Sequence, residues 1–233
     1  VPRGWWNNRP EAERIAPFIA GAAARVAGMT AHIAAPSDRA ITLAALSRQA
    51  QDCRRCPLWK NATQCVFGEG PQDARIVLVG EAPGDEEDRQ GHPFVGPAGR
   101  VLGQAMEEAG VDRSDVYLTN AVKHFKFVLR GKRRLHESPT AGEISACRWW
   151  LDQELGLIRP KATLMLGASA IRGVTGRARA VGAMRGHPVP LTHGLGIAAY
   201  HPSFILRQRD RDAAEQTRRA LVADLRLAAQ QAR

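Results

Sequence analysis

The stretch Ala74–Gly84, "ARIVLVGEAPG", decides the fold. Ile76, Val77, Leu78 and Val79 run without a polar face, the form of a parallel strand buried on both sides. Gly80 and the Pro83-Gly84 pair then turn the chain out of the sheet. Outward from this strand the pattern alternates. "GPAGRVLGQAMEEAG", Gly96–Gly110, predicts a helix stopped by Gly110. "DVYLTNAV", Asp115–Val122, predicts a second strand, and "SPTAGEISACRWWLDQELGLI", Ser138–Ile158, a helix capped at Ser138 or Thr140 and closed by Pro160. "ATLMLGASA" from Ala162 predicts a third strand turning into a helix, and "GIAAYHPS" from Gly196 a fourth strand. An amphipathic helix over Asp210–Gln231 closes the chain. Strands alternating with helices predict a three-layer α/β/α sandwich on a mostly parallel, four-stranded sheet. Such sheets bind ligands beyond the carboxyl ends of their strands. Those ends carry Gly80–Asp85, Thr119–His124, Gly167–Ser169 and His201–Ser203.

At 233 residues the chain holds one good-sized domain, read as residues 41–233, and an appendage, read as residues 1–40. In the appendage "PEAERIAPFIAGAAARVAGM" predicts a helix, and Pro36 breaks the pattern before the domain. The chain opens at Val1 without methionine, as an excised or processed piece would, and no signal peptide heads it. No apolar run approaches the roughly 20 residues of a membrane span. The expected setting is the cytoplasm of a bacterial-type cell, with the protein monomeric and held off membranes. A net charge of +10 favours a polyanionic partner, because each phosphate neutralised releases a condensed counterion.

Two segments concentrate chemistry. "RGKRRLHESP", Arg130–Pro139, puts His136 directly behind Lys132, Arg133 and Arg134, with no helical or alternating apolar period. Three cations suit phosphate; the histidine adds little to that and needs another purpose. "GEAPGDEEDRQGHPFVGPAGR", Gly80–Arg100, makes a tight turn presenting backbone N–H groups with Glu81 and Asp85, then opens a helix whose N-terminus favours an anion. It is neither a Walker A loop nor a dinucleotide fingerprint. Phe94 offers a stacking platform or a core anchor. The four cysteines are Cys53, Cys56, Cys65 and Cys147, and the "CRRC" spacing of the first two reads as metal or cluster ligation. By composition alone, all four thiolates would hold one iron–sulfur cubane, and a structural zinc is the plainer alternative.

"GEAPGDEEDRQGHPFVGPAG", "TNAVKHFKF", "GKRRLH" and "YHPSFILR" occur in this order on successive βα units. Together they resemble the iron–sulfur (family 4) uracil-DNA glycosylases, and more closely the UdgX branch, marked by a Lys-Arg-Arg-Ile-His loop. The resemblance runs from about residue 45 to the C-terminus. It implies the uracil-DNA glycosylase fold and excision of uracil from DNA, with single strands preferred. It implies that Glu81 and Asp85 stand at the sugar, that Ala82, Phe94, Asn120 and His201 bind the flipped base, and that Lys132, Arg133, Arg134, Gly84, Ser203 and Arg207 hold DNA. In the UdgX branch the loop histidine, here His136, attacks C1′ and leaves the protein covalently fixed to the abasic sugar. For the [4Fe–4S] cluster it implies Cys53, Cys56, His124 and Cys147 as ligands, with Cys65 a buried thiol. One departure stands out: the UdgX branch carries Gln where this chain has Ala82. A conventional glycosylase that turns over with water, and a non-catalytic DNA-binding module, are the alternatives.

Overall fold

The computed structural model describes residues 42–233. The helix expected within residues 1–40 lies outside the described residues. The central sheet contains β1 (Ile76–Gly80), β2 (Val116–Asn120), β5 (Ala162–Leu166), β6 (Val189–Pro190) and β7 (Leu195–Ala199), in the order β2-β1-β5-β7-β6. β2, β1, β5 and β7 are parallel, as expected. The sheet has five strands rather than four, because Val189–Pro190 adds a two-residue antiparallel edge against β7. Proline lacks the N–H an interior strand needs, so the sequence carries no strand signal there and the pairing is confined to an edge.

Helices cover both faces. On one lie α1 (Leu43–Gln51), α4 (Ala141–Ile158) and α5 (Ala168–Thr175); on the other, α3 (Pro97–Ala109) and α7 (Arg211–Gln231). Along β1 the side chains alternate between the two layers: Val77 and Val79 join Leu151 and Ile171, while Ile76 and Leu78 join Leu102, Leu221 and Leu225. All these residues are buried, and each contributes roughly 1.5–3 kcal/mol of transfer free energy. The helix ends are where the sequence put them. Gly110 caps α3 at φ +72°, and α4 starts in a capping box of Thr140 and Glu143. Thr140 rather than Ser138 is that cap.

Besides that edge strand, two short helices and a hairpin were not foreseen. A short helix, α2 (Asp85–Gln90), follows the Gly84 turn. The basic segment that showed no alternation forms an antiparallel hairpin of β3 (Phe127–Arg130) and β4 (Arg133–His136), pairing Phe127 with His136 and Arg130 with Arg133. Gly131, with φ +61°, takes the first of the two turn positions, where hairpins favour glycine. A short helix, α6 (Pro202–Arg207), leads from the end of β7 toward α7. β2 lies on one side of β1 and β5 on the other, so a crevice opens beyond the end of β1, at Glu81.

Candidate active site

Beyond the ends of β1 and β2 is a cavity of about 520 Å³ whose lining includes Glu81, Phe94, Asn120, His136, His201 and Arg207. A second hollow of about 420 Å³ adjoins it and shares Glu81, His136, His201, Ser203 and Arg207. Register brings part of the lining together. Gly80 pairs with Asn120 across the sheet. A β-carbon on Gly80 would stand 2.4 Å from Asn120 Oδ1 and 2.6 Å from Phe94 Cζ, so the glycine is what lets amide and ring close over one space. Phe94 is held there in a left-handed conformation, φ +58°, on the loop before α3. Gly99 secures that loop, since a β-carbon on it would meet Phe94 O at 1.9 Å.

Glu81 is fixed by hydroxyls. It accepts from Ser138 Oγ at 3.1 Å and from Ser169 Oγ. His136 Nε2 faces it at 3.7 Å from Oε1. Burial is the largest influence on His136 and lowers its pKa; Arg207 lowers it further, while Glu81, Glu87 and Glu137 pull the other way. The imidazole is therefore neutral, with a free lone pair, at neutral pH. His201 is pushed down to about 4, first by burial, then by Arg207 and His136, against an opposing pull from Glu81. Its Nδ1 accepts the Ser203 backbone N–H at 3.2 Å. A neutral ring that accepts at Nδ1 carries its proton on Nε2, leaving that N–H to donate.

The remaining residues divide by environment. Lys132 and Arg133 are exposed. Arg134, grouped with them in the sequence, turns inward: its Nε donates to Asp85 Oδ1 at 2.5 Å and its Nη1 to Asp88 Oδ2 at 2.6 Å. Its guanidinium also lies over Phe125 and Phe127. Expected to hold phosphate, it instead docks the hairpin on α2, because alternation along β4 sends Arg134 and His136 to one face and Arg133 to the other. Asp85 lines the cavity, but its two oxygens take Arg134 and Arg89. Gly84 likewise departs from expectation. Its N–H goes to Glu87 Oε2 at 3.0 Å, and the Gly96 N–H at the start of α3 goes to Glu87 Oε1 at 2.7 Å. Four acidic residues, Asp85 to Asp88, fill the first turn of α2. The dipole of α2 thus meets the chain's own carboxylates, and at α3, the helix expected to favour an anion, the carboxylate met is that of Glu87. Ala82 lines the cavity with no polar side chain to offer, and Arg207 donates to Ser203 Oγ at 3.0 Å beside it. Asp88, Glu87 and Ser138 were missed as site residues, and Ser169 was placed only as part of a strand end. Of the three missed, only Glu87 had a local signal, its position three residues after the Gly84 cap.

Cys53, Cys65 and Cys147 are buried and Cys56 is half-buried. Burial pushes the Cys65 and Cys147 thiols up to about 12. Cys53 and Cys147 are electrostatic neighbours of Cys56 and Cys65 alike. Trp150 Nε1 donates to Cys53 Sγ at 3.1 Å and the Lys123 N–H to Cys147 Sγ at 3.3 Å. Such N–H groups aimed at sulfur are what ligated thiolates accept. His124 is buried nearby, its pKa lowered first by burial and then by Arg54. Among the described residues no three of His, Cys, Asp or Glu close on a single metal ion. Neighbouring thiols, two of them accepting N–H groups, are the donor chemistry a thiolate-bound cluster would use.

Comparison with known proteins follows the same lines. The family model described as the uracil DNA glycosylase superfamily matches residues 67–226. A type-4 uracil-DNA glycosylase of Thermotoga maritima is 38% identical over 169 residues, covering 72% of this chain and 84% of that protein. One of Pyrobaculum aerophilum is 35% identical over 166 residues, 68% of this chain and 81% of its own. A type-5 uracil-DNA glycosylase of Thermus thermophilus is 32% identical over 167 residues, 63% and 71% of the two chains. The matched segment runs from the loop before β1 into α7 and so takes in the whole sheet and every wall of the cavity, which makes this chain a member of the uracil-DNA glycosylase superfamily.

Proposed function

We propose that this protein excises uracil from DNA and captures the resulting abasic sugar on His136. The observation that carries the proposal is the His136 imidazole 3.7 Å from Glu81 at the wall of the cavity shared by Phe94, Asn120 and His201. The target nucleotide leaves the stack and its base enters this cavity. Phe94 stacks on the base, and the Asn120 amide, offering donor and acceptor, pairs with its polar edge. The C1′–N1 bond breaks with its electron pair on uracil, and His201 Nε2–H stabilises the charge arriving at O2. Glu81 faces the sugar, where positive character develops. The lone pair of the unprotonated His136 nitrogen then bonds to C1′. The ring's remaining N–H loses its proton to solvent, and the uracil anion gains one. Lys132, Arg133 and Arg207 hold flanking phosphates. Arg134 and Asp85 keep the hairpin, and so His136, in place.

Cys53, Cys56, His124 and Cys147 would hold a [4Fe–4S] cluster, with Cys65 a buried thiol beside it. When bound, it supplies a structural tie among the α1–β1 loop, the segment after β2 and α4. Base cleavage here needs no electron transfer. A conventional glycosylase using water is the second reading. It is favoured by Ala82, which removes a polar side chain from the pocket, and by relatives that bear the type-4 name.

The test is a denaturing gel after incubation with a single-stranded oligonucleotide carrying one uracil. A shifted band that His136→Ala eliminates supports covalent capture. Free abasic product without a shift supports hydrolysis, and an intact oligonucleotide refutes both.

A further inference from the structure

Beneath the base-reading cavity lies an ion pair that the reaction described above does not use. Lys123 and Glu154 are both 0% exposed. Lys123 Nζ is 2.5 Å from Glu154 Oε2, 2.6 Å from Thr119 Oγ1 and 2.9 Å from Asn120 O. An ammonium has three protons, and these three acceptors take all of them. Glu154 Oε1 is satisfied in turn by Tyr117 OH at 2.9 Å, Thr119 Oγ1 at 3.0 Å and Gly68 N at 3.1 Å. Lys123 also reaches the cysteine site through its backbone, donating its N–H to Cys147 Sγ at 3.3 Å. Its carbonyl accepts the Val66 N–H at 2.8 Å.

Such a pair is a poor way to add stability, since apolar residues of similar volume commonly serve as well or better. Its placement suggests another use. Asn120 is the last residue of β2, and the chain turns away at Ala121, whose N–H goes to Gly80 O. The carbonyl left at that strand end is the one Lys123 holds, and it fixes the peptide from which the Asn120 amide enters the cavity.

We infer that Lys123 and Glu154 are positioning residues for base recognition, holding the Asn120 strand end so that its amide meets the uracil edge. This rests on the reading of Asn120 as a uracil contact. The test is the double variant Lys123→Met/Glu154→Leu, which removes both charges together and keeps the volume. Affinity for free uracil is measured by calorimetry, and the ratio of uracil to cytosine excision in single-stranded oligonucleotides beside it. The expected result is a folded protein with uracil affinity and the excision ratio each reduced about tenfold, in line with the cost of misplacing a positioning group. Both quantities refer to folded molecules, so a mere loss of stability leaves them unchanged. Wild-type values for both in the double variant overturn the inference. If the double variant does not fold, Glu154→Gln takes its place: lower uracil affinity supports the inference and wild-type affinity refutes it. Asn120→Ala is the control for the underlying reading, which falls, and the inference with it, if that variant binds uracil normally.

Discussion

Replacing Arg134 by alanine separates an arginine that holds the protein together from one that holds DNA. Its side chain is 14% exposed, and Asp88, its partner at 2.6 Å, is fully buried. Removing the guanidinium leaves the Asp88 carboxylate inside the protein with only Thr63 N at 2.9 Å and Thr63 Oγ1 at 2.6 Å. Breaking a buried pair costs about 3–5 kcal/mol. The two surviving hydrogen bonds place this case near the lower end, and the half-exposed Asp85 adds at most about 1 kcal/mol. A loss of about 3 kcal/mol lowers Tm by about 6–12 °C for a domain of this size. A phosphate contact behaves differently, lowering the slope of log K against log salt by about 0.7 per contact on single strands. Thermal unfolding and the salt dependence of binding to a uracil-free oligonucleotide, which cannot react, are the paired assays. Arg134→Ala is expected to drop Tm and keep the slope. Lys132→Ala, exposed on the same hairpin, is expected to keep Tm and to lower the slope by about 0.7. An Arg134→Ala protein with wild-type Tm and a slope reduced by about 0.7 would refute the reasoning.

Gly80→Ala drives a methyl group into Asn120 and Phe94 at once, so uracil binding is expected to fall at least tenfold, with about 1–3 kcal/mol of overpacking strain; calorimetry with free uracil checks it. His201 carries a pKa of about 4 in the folded protein against about 6.5 unfolded, so the unfolded chain binds more protons between those values. Stability from this group is complete above pH 6.5 and lost as pH falls toward 4, by roughly 2–3 kcal/mol, and His201→Asn is expected to flatten that part of a denaturant-midpoint-versus-pH curve. Because burial also holds His136 neutral, the adduct rate is expected to be level from about pH 7 upward and to decline only below about 6.5; a rate that climbs tenfold per unit through neutrality would contradict a neutral nucleophile. Visible absorbance of the purified protein is expected to survive Cys65→Ala and to disappear in His124→Ala; the reverse outcome transfers the ligand role to Cys65.

Much of the molecule was legible in one dimension. The four parallel strands, the Gly110 stop, the Thr140 start and the Asp210 start follow from runs of apolar residues and from caps, which are local signals. The strand ends that line the cavity were visible too, because a parallel sheet gathers its strands' carboxyl ends on one side. What was not legible depended on partners far apart in the chain. "KRR" reads as three equal cations, but pairing β3 with β4 sets the pleat, and the pleat turns Arg134 toward carboxylates some 46–49 residues away while Arg133 stays in solvent. Gly84 offered a free N–H until Glu87 folded back on it. Lys123 and Glu154, 31 residues apart, are two unremarkable charges in sequence. Residue type and spacing determine which elements form and which end of the sheet is polar, since those signals travel a few residues at most. Which charges are spent inside the protein, and which are left for DNA, is decided only when tertiary packing chooses the neighbours, because a charge's role depends on what lies within a few ångströms of it.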